Sequence, residues 1–467
     1  MRVMTNTLTK EDKGLLLSVY HTNISKWWRR EKSLHAPHLT FNYRTKHILM
    51  LTKIKMSSEY LSKDILEEDF LKTFTPYHIC QKVLGSCRVN AKNRFVTAPT
   101  RWQRGYTVFC MTLLTLCYVK MFLIFTEKFS DNVNISFLIV TMLIVQVIIF
   151  TSNLIHVRFL TCHDNIEFYI KMQEIDRIMK IDKDKTLSSL QYKVHVMSIL
   201  FLSLSALGLV SLSFTGGIIT AILLCSGIYC EAPFAVEMSH CSNIMLYFAL
   251  RIRLVNAIVS NHIYGNTSSK PLISDMFTNH YMKNVAAKIH DFKTSETDIY
   301  LREIIRGFNM YKDLYKFQVI YKKQCDEQLI DALTFQILLL CVKIFIYALI
   351  TFEYTLLSVK YNIYDVVHIA AFSTIITVDL LTVTFLCLRC EIFIRSVKET
   401  KLLTISVMSI YLDGPLRKKA KCMYDIIEEI PPDLSIYDMW DLDARIVFAL
   451  FYTITNFIVT LLQFAFL

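Results

Sequence analysis

Charge, glycine and proline are all scarce in this chain, and each shortage excludes something. Only 19% of its 467 residues are Asp, Glu, Lys or Arg, short of the roughly 25% usual in soluble globular domains. Ten glycines and eight prolines leave little material for a loop-rich or glycine-rich phosphate-binding fold. No Gly-x-Gly-x-x-Gly, phosphate-binding loop, Gly-x-Ser-x-Gly or His-Glu-x-x-His occurs. The usual nucleotide, hydrolase and zinc signatures are thus missing, and neither an enzyme activity nor a cofactor or metal is expected. Cys387-Leu-Arg-Cys390 has no second ligand pair to complete a zinc site, so these thiols read as buried or interfacial.

Apolar residues, at 53%, are abundant enough to exclude disorder. They fall in seven blocks of about twenty, the length that crosses ~30 Å of hydrocarbon as helix. The blocks are Thr107 to Thr126, Ser136 to His156, His195 to Thr215, Glu231 to Leu250, Leu329 to Phe352, Val366 to Leu388 and Ala444 to Leu467. The fourth has apolar residues ahead of it at 216–229, so its helix could start earlier or follow a re-entrant element; Glu231 and Pro233 argue for a start near 231. The expected fold class is an all-α membrane protein with seven transmembrane helices.

Orientation follows from Lys and Arg, of which 46 of 51 fall in 1–106, 157–194, 251–328 and 389–443. The alternate loops hold only Lys128 and Lys360, so the N-terminus is expected in the cytosol and the C-terminus outside. The formal charge of +11 is then a cytosolic face beside anionic lipid, and no nucleic-acid partner is needed to explain it. This topology is opposite to that of G-protein-coupled receptors. The chain also has no Asn-Pro dipeptide, and Asp176-Arg177 follows the second block instead of the third. No signal peptide is evident, and Met56 is a second candidate start that N-terminal mass spectrometry of the native protein would settle.

The polar segments carry structure of their own. From Ile299 to Tyr321, Leu301, Ile304, Phe308, Tyr311, Leu314 and Tyr315 recur at steps of three and four, predicting an amphipathic helix. A second helix extends the sixth block inward until Asp413-Gly414-Pro415, and a third runs from Lys418 to Glu429. These are read as a bundle beneath the membrane that packs subunits together. Residues 1–70 are expected to form a partly disordered cytosolic leader, 71–443 the helices, pocket and anchor, and 444–467 the terminal span. Asn134-Ile-Ser136 is a candidate glycosylation site in the first outer loop.

The terminal span carries the sharpest pattern. Thr453, Asn456, Thr460 and Gln463 stand at steps of three, four and three, which at ~100° per residue is one stripe about 80° wide. Two readings are open: hydrogen bonds between helices, or the wall of an aqueous pore formed by several copies. Gln463-Phe464, near the end of this span, resembles the close of the insect gustatory receptor signature, threonine-tyrosine, five apolar residues, then glutamine-phenylalanine. Here Asn456-Phe457 stands in place of the first pair, followed by Ile458 to Leu462. The inside N-terminus, the seven blocks, the run Tyr437-Asp-Met-Trp-Asp-Leu-Asp443 and the end just after Gln463-Phe464 are similar to that family in layout from about Leu71 onward.

The resemblance implies a divergent gustatory receptor in the plasma membrane of a chemosensory dendrite. Such a protein is a non-selective cation channel, a homotetramer around the terminal helices that can also co-assemble with other receptors and requires no G protein. Gln463 and Phe464 would lie at the pore constriction, and a bitter or plant-derived tastant would open the channel from an extracellular-side pocket. An odorant-receptor-like subunit needing a co-receptor and a secondary transporter are the alternatives. Ionisable and aromatic residues in the outer halves of the spans supply the pocket candidates: Glu231, Glu237, Phe345, Tyr347, Phe352, Glu353, Tyr354, His368, Phe372, Ser373 and Asp379. For Asp379 a structural pair with Lys343 or Lys120 is as good a reading as a contact to a ligand amine or hydroxyl.

Overall fold

The computed structural model describes residues 65–467 except 93, 129–132, 180, 182–184, 214–217, 265–295, 314–315, 318–329, 362–365, 432–434, 437–439, 442–443 and 467. The leader expected over 1–70 lies outside the described residues as far as 64.

Helix α1 (Glu68–Val83) starts with Glu68 and Asp69 and ends with Lys82, which suits the helix dipole at both ends. Phe70, Phe74, Tyr77, His78 and Gln81 recur on one face and are all buried. Gly85, at φ +70°, ends the helix: its N–H reaches the Lys82 carbonyl at 3.3 Å while Ser86 N–H reaches Gln81 at 2.9 Å. A left-handed residue at this place costs a glycine little.

His78 lies outside the spanning helices, its ring centroid 5.9 Å from that of Tyr169. Burial first, and then Lys82, push its pKa down from 6.5 to about 4. The folded chain therefore binds this proton less readily than the unfolded chain, and the stability present above the unfolded value is lost as pH falls from about 6.5 toward 4. Stability at pH 5 should be about 2 kcal/mol below that at pH 7.5 from this group alone. Thermal unfolding of the purified chain across that range should show the slope, and His78→Phe should make it shallower by this group's share.

After a short hairpin, β1 (Asn90–Lys92) with β2 (Phe95–Thr97), the chain is built of long helices. These are α2 (Arg101–Lys128), α3 (Val133–Ile155, passing into a π-helical turn at His156–Leu160), α4 (Cys162–Ile178) and α5 (Lys185–Ser213). They continue with α6 (Ile218–Tyr264), α7 (Thr297–Asp313), α8 (Ala332–Tyr361), α9 (Val366–Ile410), α10 (Pro415–Glu429) and α11 (Ala444–Phe466). The fold is all-α apart from two-residue and three-residue strand pairs.

Among the described residues six helices are long and apolar enough to cross a membrane: α2, α3, α5, α6, α8 and α9. Helix α11 is 23 residues long and contributes the apolar stretch Arg445–Thr460 among the described residues. Only 6% of the apolar window of α5 is buried, against 83% in α6, so α5 offers its sides outward while α6 is the central post. Exposed faces such as Phe109, Leu113 and Leu116 on α2, or Leu200, Leu204 and Leu207 on α5, suit hydrocarbon and not water.

Helix α6 corrects the start expected near Glu231. It runs unbroken from Ile218 with Pro233 inside it. A proline is tolerated within an apolar span because neighbouring helices satisfy the freed carbonyl. At 47 and 45 residues, α6 and α9 are each about 70 Å long, more than twice the hydrocarbon thickness, and they pack along one another. Their ends beyond the apolar layer meet α4, α7 and α10 in one apolar core. In α7, Leu301, Ile304, Phe308 and Tyr311 are buried, as their spacing predicts. A Cβ on Gly307 would come within 2.6 Å of Ile175 Cδ1 and 3.3 Å of Phe248 Cε1, so α7 packs close to α4 and α6 here and a larger residue would make the Ile175 side chain shift.

Two further expectations change. The amphipathic helix stops at Asp313, not Tyr321, because Lys316–Phe317 pairs with Ile330–Asp331 as antiparallel strands and spends its backbone groups there; Leu314 and Tyr315 lie outside the described residues. One face of α10, with Ala420, Met423, Ile426 and Ile427, is buried within the chain. Asn134 lies in the first turn of α3 and not in a loop; its side chain is outside the described residues.

Candidate functional site

A cavity of about 360 Å³ opens among α2, α3, α5, α6, α8 and α9. Most of its wall is apolar, with Met121, Phe125, Met142, Leu202, Ile228 and Ile375 typical, so the few polar groups stand out. Four of the eleven pocket candidates line it: Glu231, Tyr347, Phe372 and Asp379. The Tyr347 and Phe372 rings face each other at 5.8 Å.

The polar groups form one cluster. Lys343 of α8 has no exposure at all and holds two carboxylates, Asp379 of α9 at 2.8 Å and Glu231 of α6 in a close contact. Gln146 of α3 donates its amide N–H to Glu231 and accepts a 3.5 Å hydrogen bond from the Tyr347 hydroxyl. Tyr118 of α2 also lines the cavity, its hydroxyl buried with the Cys230 thiol beside it. Gln146 and Tyr118 are additions to the sequence reading. The signal for Gln146 is an amide in the middle of an apolar block; nothing in sequence singles out Tyr118 among many aromatics.

The other candidates lie elsewhere. Glu237 is buried against Arg88, whose Nε donates to Oε1 at 3.0 Å while its Nη1 donates to Asn165 Oδ1 at 2.7 Å. Its misplacement follows from the start of α6: with the helix beginning at Ile218, Glu237 comes about 28 Å along it instead of near the outer end. Phe345 turns away from the cavity and packs against Phe457 of α11, ring centroids 4.8 Å apart. Phe352, Glu353 and Tyr354 are half-buried and off the cavity wall, and Ser373 is exposed on the opposite face of α9. The side chain of His368 is outside the described residues. Asp379 is paired with Lys343, not Lys120, and it also lines the cavity.

A second set of polar groups stands on α11. Ile446, Leu450 and Ile454 pack on the core and Val447 is buried in it. Thr453, Asn456, Thr460 and Gln463 are all exposed, about 115° around the helix from the packed stripe at ~100° per residue. Thr453 and Thr460 donate their hydroxyls to the carbonyls of Ala449 and Asn456 at 2.8 and 2.7 Å. The amides of Asn456 and Gln463 have no hydrogen-bond partner among the described residues. Phe464 belongs to α11, with its side chain outside the described residues.

The chain matches no protein-family model and no curated protein. The twelve described cysteines, among them Cys225, Cys230, Cys387 and Cys390, are free thiols.

Proposed function

We propose that this chain is one subunit of a ligand-gated, non-selective cation channel of the insect gustatory receptor type in the plasma membrane. Seven helices cross the bilayer, α11 being the seventh, with the N-terminus in the cytosol and the C-terminus outside. Four copies meet around α11, and a bitter or plant-derived small molecule in the cavity opens the path.

The observation that carries this reading is the polar stripe of α11 on the side away from its own subunit's core. An amide left against hydrocarbon costs several kcal/mol. Asn456 and Gln463 satisfy that demand if the stripe faces water shared with other copies. The cavity supports the other half of the proposal, being mostly apolar with a few convergent polar groups, as ligand sites are. Helix α8 lies between the two, with Lys343 toward the cavity cluster and Phe345 against α11. A ligand that binds the open arrangement better shifts the population by that difference in affinity.

Expression of this chain alone in a cell without endogenous response, with recording of ligand-evoked current, tests the proposal. A current in the single-chain cell supports it. Current only with a second receptor favours the co-receptor-dependent odorant type, and uptake without current favours a transporter. Gln463→Ala should change unitary conductance or cation preference with surface expression intact. Unaltered currents from a well-expressed variant would take Gln463 out of the pore.

A further inference from the structure

The cavity holds an imbalance of charge. Glu231 and Asp379 both reach the same cation, Lys343, so two carboxylates share one ammonium in a wall that is otherwise apolar. Gln146 supplies a neutral amide N–H to Glu231 and brings no charge. Asp379 is buried to 6% exposure and Lys343 completely, so bulk counter-ions do not screen the surplus as they would at a surface. Aromatic faces stand around the same space, Tyr347 against Phe372 and Phe125 nearby, and such faces attract organic cations. Tyr118 adds another ring to this wall, its hydroxyl buried beside the Cys230 thiol. A bare metal ion fits poorly, because it wants six or more oxygen ligands and this wall offers few.

We infer that the cavity selects apolar molecules bearing one protonated amine or quaternary ammonium group, which supplies the positive charge missing beside Glu231, Lys343 and Asp379. This rests on reading the cavity as the ligand site, but not on the chain conducting ions. The aromatic and aliphatic wall takes the body of the molecule. A carboxylate or sulfate ligand is disfavoured, since it would add to the surplus.

The inference is tested by direct binding to the purified full chain in lipid nanodiscs. Two probes are compared: 4-phenylbutyltrimethylammonium and its neutral isostere, in which carbon replaces nitrogen. The cation should bind at least about tenfold more tightly, a difference of about 1.4 kcal/mol. Asp379→Asn leaves a balanced Lys343 and Glu231 pair, so this variant should fold as well as the natural chain and lose most of the preference. Glu231→Gln should do the same, and Ser373→Ala, on the far face of α9, should keep it. Equal affinity for the two probes in the natural chain, or a preference that survives both neutralisations, overturns the inference. Cation binding without any ligand-evoked current would leave the inference standing and remove the channel. Currents evoked by neutral compounds, with no cation preference in binding, would do the reverse.

Discussion

Lys343→Met should lower the stability of the folded chain by about 3–5 kcal/mol, the cost of removing one partner from a buried ion cluster. The argument is one of desolvation. Lys343 is wholly buried and is the cation that both Glu231 and Asp379 contact. Without it two carboxylates remain close together in an apolar wall with only the Gln146 amide to help. For a chain of this size, a loss of that magnitude lowers the unfolding midpoint by about 5 °C. The decisive comparison is the triple variant Lys343→Met, Glu231→Gln, Asp379→Asn, which removes the charges together and should recover most of the loss. Thermal unfolding of the purified variants in detergent measures both. A single variant as stable as the natural chain would mean that Lys343 is not holding the three helices.

Arg88→Met should cost a similar amount, about 3–5 kcal/mol, for a related reason. Arg88 belongs to the segment between α1 and α2, is 2% exposed, and holds both Glu237 of α6 and Asn165 of α4. It ties the segment before the first apolar helix to the central post of the molecule. Arg88→Met with Glu237→Gln should be markedly more stable than Arg88→Met alone, because the stranded carboxylate is gone. Arg88→Lys should restore only part, since an ammonium cannot reach the Glu237 carboxylate and the Asn165 amide oxygen with a fixed planar fork. If the single and double variants unfold at the same temperature, the pair contributes no more than packing.

How far the residues announce this arrangement varies by element. The six described helices long enough to cross a membrane are visible as apolar runs because such a span needs an unbroken stretch of about twenty. The start of α6 is not, since a helix buried on nearly every side has no polar face to mark its end, and Pro233 reads as a boundary when it is an interior residue. Asp379 and Glu231 are conspicuous as acids in apolar blocks. Lys343 is legible as one partner for Asp379, but its hold on Glu231 is not, because the two lie 112 residues apart and only packing brings them together. Arg88 has no signal at all, being one basic residue in a basic segment. The stripe of α11 is fully legible, because four polar residues at helical steps fix a face whatever the helix packs against.

The position of α8 has a mechanical consequence. Lys343 and Phe345 point to nearly opposite sides of one stiff rod, the first clasped by α6 and α9, the second wedged against Phe457. In the proposed channel, a guest that spreads those clasping helices would lean on the last helix without ever touching it. Two molecules of the same size would then act as opener and blocker, according to which way each tilts the rod.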